Sequence, residues 1–205
     1  MNRSALLLIP LFAACQAAPD ARAQAGDAER APCEGCGAFE APANLGWSTR
    51  IAGPDEPGEP LTVSGVVYRP DGRTPAGGVI LYLYHTNARG VYPRRGDETG
   101  MGRRHGYLRS WLRTDAQGRY RFTTIRPGSY PGRTDPQHIH VTVLEPGREE
   151  YWLDSFVFDD DPRLTAAERA RLRNLGGSGI LHPTRQAGGW TATRNIVLPT
   201  PEETR

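Results

Sequence analysis

Between Arg113 and Glu145 the side chains change character with a period of two, and this alternation limits the fold more than any other stretch. Tyr120, Phe122 and Thr124 alternate with Arg119, Arg121 and Thr123, as in a strand with one face buried. Asp115 to Gly118 supplies turn residues before that strand, and Pro127-Gly128 stops it. His138-Ile-His140 then opens a second strand that continues through the β-branched run from Val141. Successive strand side chains point to opposite faces, so His138 and His140 share a face while Ile139 takes the other. Two imidazoles at that spacing can reach one metal ion.

The flanking chain carries the same signature. Leu61 to Tyr68 alternates, Pro70-Asp-Gly72 makes a turn, and Gly78 to His85 is apolar throughout, as a central strand would be. Further strands are expected at Trp47 to Ile51, Tyr151 to Phe158 and Trp190 to Leu198, with residues 93–112 a long polar loop. Thr165-Ala-Ala-Glu168 is a capping box that opens a helix to about Leu175. The expected fold is mainly β: an antiparallel β-sandwich with long loops and one short late helix, a single domain over residues 46–200. The 205 residues suffice for one sizeable core plus tails. Lysine is absent and the net charge is only +2, which leaves no electrostatic footprint for nucleic acid.

The first residues read as an address. Arg3 and the apolar run from Ala5 to Ala14 form the n-region and h-region of an export signal over residues 1–15, too short to span a membrane. Leu11-Phe-Ala-Ala-Cys15 resembles a bacterial lipoprotein signal, with Phe12 departing from the usual leucine. Lipidation at Cys15 and plain cleavage among the following alanines both export the chain, to the periplasm or to a lipid anchor at the cell envelope. Residues 16–45 read as a flexible tether that carries a CxxC. In an oxidising compartment Cys33 and Cys36 are expected to form a small disulfide loop. A metal site there would need two further ligands, and Gly37 and Pro42 oppose the helix that a redox motif requires.

Four donors stand out: Tyr92, Tyr130, His138 and His140. Their segments are His85-Thr-Asn-Ala-Arg-Gly90-Val-Tyr92, then Thr114-Asp115-x-x-Gly118-x-Tyr120-x-Phe122-x-Thr124-Ile125-x-Pro127-Gly128-x-Tyr130-Pro131, then His138-x-His140. This pattern resembles the intradiol ring-cleavage dioxygenases, the family of protocatechuate 3,4-dioxygenase and catechol 1,2-dioxygenase, over residues 60–160. The resemblance implies non-haem Fe(III) held by the two tyrosines and the two histidines. It also implies a catechol-type substrate that displaces Tyr130, acting as axial ligand and base, while Tyr92 keeps its place. Dioxygen then cleaves the bond between the two hydroxyl-bearing carbons and leaves a muconate-type diacid. Charge balance agrees: two phenolates and one hydroxide cancel three ferric charges, and phenolate is a hard donor suited to that ion.

The chain departs from the family in three places. Asp135 stands where the family has an arginine three residues before the first histidine, with Arg133 two residues upstream as the substitute substrate-binding cation. Ser155 replaces a family glutamine, and the loop from Tyr130 to His138 is short. These departures motivate a competing reading, an exported β-sandwich that binds a metal or an aromatic ligand without cleaving a ring. Without their family order, Tyr92 and Tyr130 would be ordinary strand-end aromatics, and His-x-His a core or surface pair. His85 reads as structural, His105 and His182 lack a second ligand nearby, and Asp159 to Asp161 reads as a solvated turn. A monomer or small homo-oligomer is expected.

Overall fold

The computed structural model describes residues 33–204. The export signal, Cys15 and most of the expected tether lie outside the described residues. In chain order the strands are β1 Ser48–Arg50, β2 Pro60–Tyr68, β3 Ile80–Tyr84, β4 Arg109–Arg113, β5 Arg119–Ile125 and β6 His138–Leu144. They continue with β7 Tyr151–Trp152, β8 Phe156–Phe158, β9 Ile180–Leu181, β10 Thr184–Gln186, β11 Gly189–Thr193 and β12 Ile196–Val197. The helices are one turn, α1 Gly102–His105, and the late α2 Ala166–Arg171.

The strands form two sheets. One runs β1-β5-β2-β11-β10 with β12 also on β2; the other runs β4-β3-β6-β8-β9 with β7 also on β6. Phe122, Leu61 and Val63 from the first sheet meet Leu81, Leu83, Ile139, Val141 and Phe156 from the second in one apolar core. The expected β-sandwich is present, but its sheets are mixed. The β2–β5, β3–β4 and β3–β6 pairs are antiparallel. By contrast β1 on β5, β11 and β12 on β2, and β9 on β8 run parallel. A parallel neighbour needs a long crossover, so these strands are added by segments returning from afar in sequence, which strand alternation alone does not reveal.

β3 is central, as its apolar run requires. Leu81 and Leu83 point into the main core, while Tyr82 and Tyr84 face the other way into a smaller aromatic cluster. Its neighbour β4 falls, but for its last residue Arg113, in the stretch 93–112 read as loop. Arg109, Ser110 and Arg113 hide it, because this edge strand fully buries only Leu112 and leaves its other side chains half-buried. α2 begins as expected, with the Thr165 hydroxyl accepting the Glu168 N–H at 3.2 Å, but ends at Arg171 rather than Leu175. Asp161 is not solvated: it is 6% exposed and accepts the N–H groups of Gln137 at 2.6 Å and Arg163 at 2.9 Å, which pins the entry to β6.

The tether reading also changes at its C-terminal end. Cys33 and Cys36 are joined as a disulfide, and Cys36 and Ala38 are buried. The Glu150 carboxylate accepts the N–H groups of Gly37 at 2.7 Å, Ala38 at 2.6 Å and Phe39 at 3.0 Å, and also the Thr142 hydroxyl. Trp111 Nε1–H donates to the Gly37 carbonyl at 2.6 Å, and Trp152 Nε1–H to the Glu34 carbonyl at 3.1 Å. Residues 33–40 therefore belong to the domain. Their composition resembles a linker because their anchors are single residues 74 to 118 positions away in sequence, which composition does not register.

Candidate metal centre

Two locked turns bring the tyrosines together. Thr86 Oγ1–H donates to the Gly128 carbonyl at 2.7 Å, and the Gly128 N–H donates to the Asn87 carbonyl at 2.9 Å. The Asn87 side chain closes its own turn, accepting the N–H groups of Arg89 at 3.0 Å and Val91 at 3.3 Å. His85 holds the base of this turn. Its Nδ1–H donates to the Thr86 carbonyl at 2.7 Å, its Nε2 takes the Thr124 hydroxyl at 2.6 Å, and burial lowers its pKa to about 4. That is the structural role expected of it.

With the turns fixed, the Tyr92 and Tyr130 hydroxyls lie within hydrogen-bond contact. Tyr130 Oη is 3.2 Å from His138 Nε2 and 3.2 Å from His140 Nε2, and the two Nε2 atoms are 3.1 Å apart. Tyr130 thus links Tyr92 to both imidazoles, and the four donors named from the sequence form one contiguous cluster. A carbonyl only accepts, so His138 Nδ1, 2.7 Å from the Pro136 carbonyl, carries the proton, and Nε2 turns a lone pair to the centre. Ser155 Oγ sits 3.4 Å from His140 Nδ1 and orients that ring in turn. Arg194 Nη1 donates to the Asp154 carbonyl at 3.0 Å and so fixes the backbone next to Ser155.

Burial pushes both phenols, Tyr92 and Tyr130, above their usual range; for Tyr92 the bond from Tyr130 adds to it. Burial likewise lowers both imidazoles, and neighbouring histidines deepen the effect at His140. Without a cation the whole cluster is driven neutral; a cation among the four atoms would reverse the shift of the phenols, favouring phenolate, and would hold the imidazoles neutral as burial already does. Bonds of about 2 Å to one first-row metal ion put neighbouring donors about 3 Å apart, so the observed spacing fits such an ion. Among the described residues no group of three or more His, Cys, Asp and Glu could hold a metal, so an ion at this cluster would need the phenol oxygens as further donors.

The other candidates do not join the four donors. Arg133 lies over the Tyr130 ring, 5.4 Å from its centroid, but its Nε–H is engaged by Asp135 at 2.8 Å, so it is not a free cation at the mouth. His182 is exposed and paired with Asp159 at 2.9 Å. Sequence reasoning missed the aromatic column behind the cluster. Tyr84 is stacked between His140 at 4.5 Å and His105 at 3.6 Å, and His105 Nδ1 meets the Tyr82 hydroxyl at 2.8 Å. Strand alternation places Tyr82 and Tyr84 on one face; the register that sets Tyr84 opposite His140 has no local signal.

A family model described as "Dioxygenase" matches residues 38–169. The chain is 32% identical over 112 residues to catechol 1,2-dioxygenase 1 of Acinetobacter lwoffii, covering 54% of this chain and 35% of that protein. It is 31% identical over 113 residues to the protocatechuate 3,4-dioxygenase beta chain of Burkholderia cepacia, covering 52% and 48%. The chain thus spans about a third to a half of the length of these relatives. Among solved structures it resembles the dioxygenase domain of a dioxygenase–carbohydrate-binding fusion from Streptomyces sp. SirexAA-E. There the identity is 29% and the TM-score 0.59, covering 78% of this chain and 92% of that one. With more than half of its length matched by the family model, the chain belongs to the intradiol dioxygenase family.

Proposed function

We propose that Tyr92, Tyr130, His138 and His140 hold a non-haem ferric ion and that the protein is an intradiol dioxygenase acting on a catechol-type substrate. One observation carries this reading: in a half-buried site the Tyr130 phenol oxygen lies 3.2 Å from the Nε2 atoms of both His138 and His140 and in contact with the Tyr92 hydroxyl. Ferric iron held by these four residues would supply an electron-withdrawing centre that makes the ring carbons of a catechol reactive toward dioxygen. Tyr130, on the more open turn beside exposed Pro131 and Gly132, is the displaceable ligand, and its Oη takes a proton from a substrate hydroxyl. Tyr92, deeper against Tyr84, stays in place. His138 is kept in one tautomer by the Pro136 carbonyl, and His140 is positioned by Ser155 and the Tyr84 stack. Both atoms of dioxygen enter the product, and the bond between the hydroxyl-bearing carbons breaks to leave a diacid.

The Arg133–Asp135 pair favours a second reading, a metal- or aromatic-binding module without turnover, because it neutralises the cation nearest Tyr130. Oxygen uptake separates the two. With iron-loaded full-length protein and a panel of catechols, dioxygen is expected to disappear in one-to-one proportion to the catechol consumed. Coloured protein that consumes no dioxygen with any catechol would select the binding module. For the cell, we propose export with a lipid anchor at Cys15, on the apolar run and the Ala-Ala-Cys that ends it. Metabolic labelling with a palmitate analogue should mark the wild type and not Cys15→Ser; equal labelling of both would exclude that anchor.

A further inference from the structure

A second concavity lies beside the turn that carries Tyr92. Its volume is about 690 Å³, and its lining includes Arg89, Val91, Arg94, Tyr107, Glu56 and Pro57 but none of the four clustered donors. Volumes of this order accommodate small organic ligands. Its chemistry is uneven. Among the described residues the Arg89 and Arg94 guanidinium groups have no hydrogen-bond or ion-pair partner. Glu56, the one carboxylate in the lining, already accepts the Tyr107 hydroxyl at 2.9 Å. Arg95 packs over the ring of Tyr107 at 4.2 Å and adds a third positive charge. The wall between the charges is apolar: Val91 is 44% exposed, unusual for a valine, and Pro57 and the Tyr107 ring complete it.

Unpaired guanidinium groups beside a flat apolar wall match one ligand chemistry, a carboxylate on a planar, unsaturated or aromatic skeleton. Guanidinium meets carboxylate with two parallel N–H···O bonds, and the skeleton covers Val91 and Tyr107. We propose that this cavity binds such an organic carboxylate. Its walls include Val91 and Pro93, the immediate neighbours of Tyr92, so the ligand would bear on the turn that presents that phenol. The inference stands on the cavity alone and holds whether or not the metal cluster turns over a substrate.

Calorimetric titration of the full chain with benzoate, cis,cis-muconate and inorganic phosphate tests it. Benzoate or muconate should bind, with phosphate at least about tenfold weaker for want of the apolar wall. Arg89→Gln and Arg94→Gln should each weaken the carboxylate about tenfold, the cost of one charge-assisted hydrogen bond. Tighter muconate would assign the cavity to ring-opened diacids, and tighter benzoate to intact aromatic acids; either supports the proposal. Phosphate binding as tightly as both carboxylates would reduce the site to bare charge and overturn it. So would carboxylate binding unchanged in both arginine variants, or no binding by either carboxylate at millimolar concentration.

Discussion

Tyr92→Phe is expected to weaken ferric iron binding by at least ~100-fold and to leave the protein colourless after dialysis against a chelator. Removing even the outer partners of a metal ligand costs roughly 10–100-fold, so losing a ligand itself should reach the top of that range or pass it. Burial and the Tyr130 hydrogen bond push the Tyr92 phenol upward, so only a cation in the cluster ionises it. Phenylalanine keeps the ring packed against Tyr84, whose centroid is 5.8 Å away, and the fold should be unaffected. Thermal unfolding of metal-free wild type and variant should therefore coincide while iron retention differs. Tyr130→Phe, at the displaceable position, should keep iron while losing part of its colour. A Tyr92→Phe protein that retains iron like the wild type would remove Tyr92 from the ligand set.

The second large effect is expected from Gly90→Ala. Gly90 has φ +80°, and a Cβ there would lie 1.9 Å from the Ser129 carbonyl oxygen, a backbone atom that no rotamer can move aside. The left-handed conformation alone costs about 1 kcal/mol for alanine. Gly72 separates the two contributions: its φ is +67°, yet nothing lies within 4 Å of its added Cβ. Gly72→Ala should cost about 1 kcal/mol in urea unfolding, and Gly90→Ala roughly 3 kcal/mol or more. Because the overlap would separate the turns carrying Tyr92 and Tyr130, iron affinity should fall with stability. Equal destabilisation by the two substitutions would mean that the turns are not packed as described.

Those turns mark where the sequence was informative. Local alternation set out β5 and β6 well, because Tyr120, Phe122, Ile139 and Val141 must reach the core from every second position. The same rule put His138 and His140 on one face, and family order picked out Tyr92 and Tyr130; the structure brings these four together. Long-range partners were not legible. The β4 edge strand is too polar to stand out, and the parallel pairings of β9, β11 and β12 are defined by neighbours distant in sequence. His105 sits among arginines in the sequence but is 2% exposed, stacked on Tyr84. Residues 33–40 resemble a linker until Glu150 and Trp152 supply their hydrogen bonds. In each case the missing information is a pairing, and pairings are set by the packed whole.

Metal identity tests the four-ligand assignment most directly. Full-length protein loaded with iron and dialysed should hold one ferric ion per chain by elemental analysis. It should also show a visible tyrosinate-to-iron absorption band that weakens in Tyr130→Phe and vanishes in Tyr92→Phe. Protein that stays colourless and retains zinc, or no metal at all, after saturating iron would contradict it.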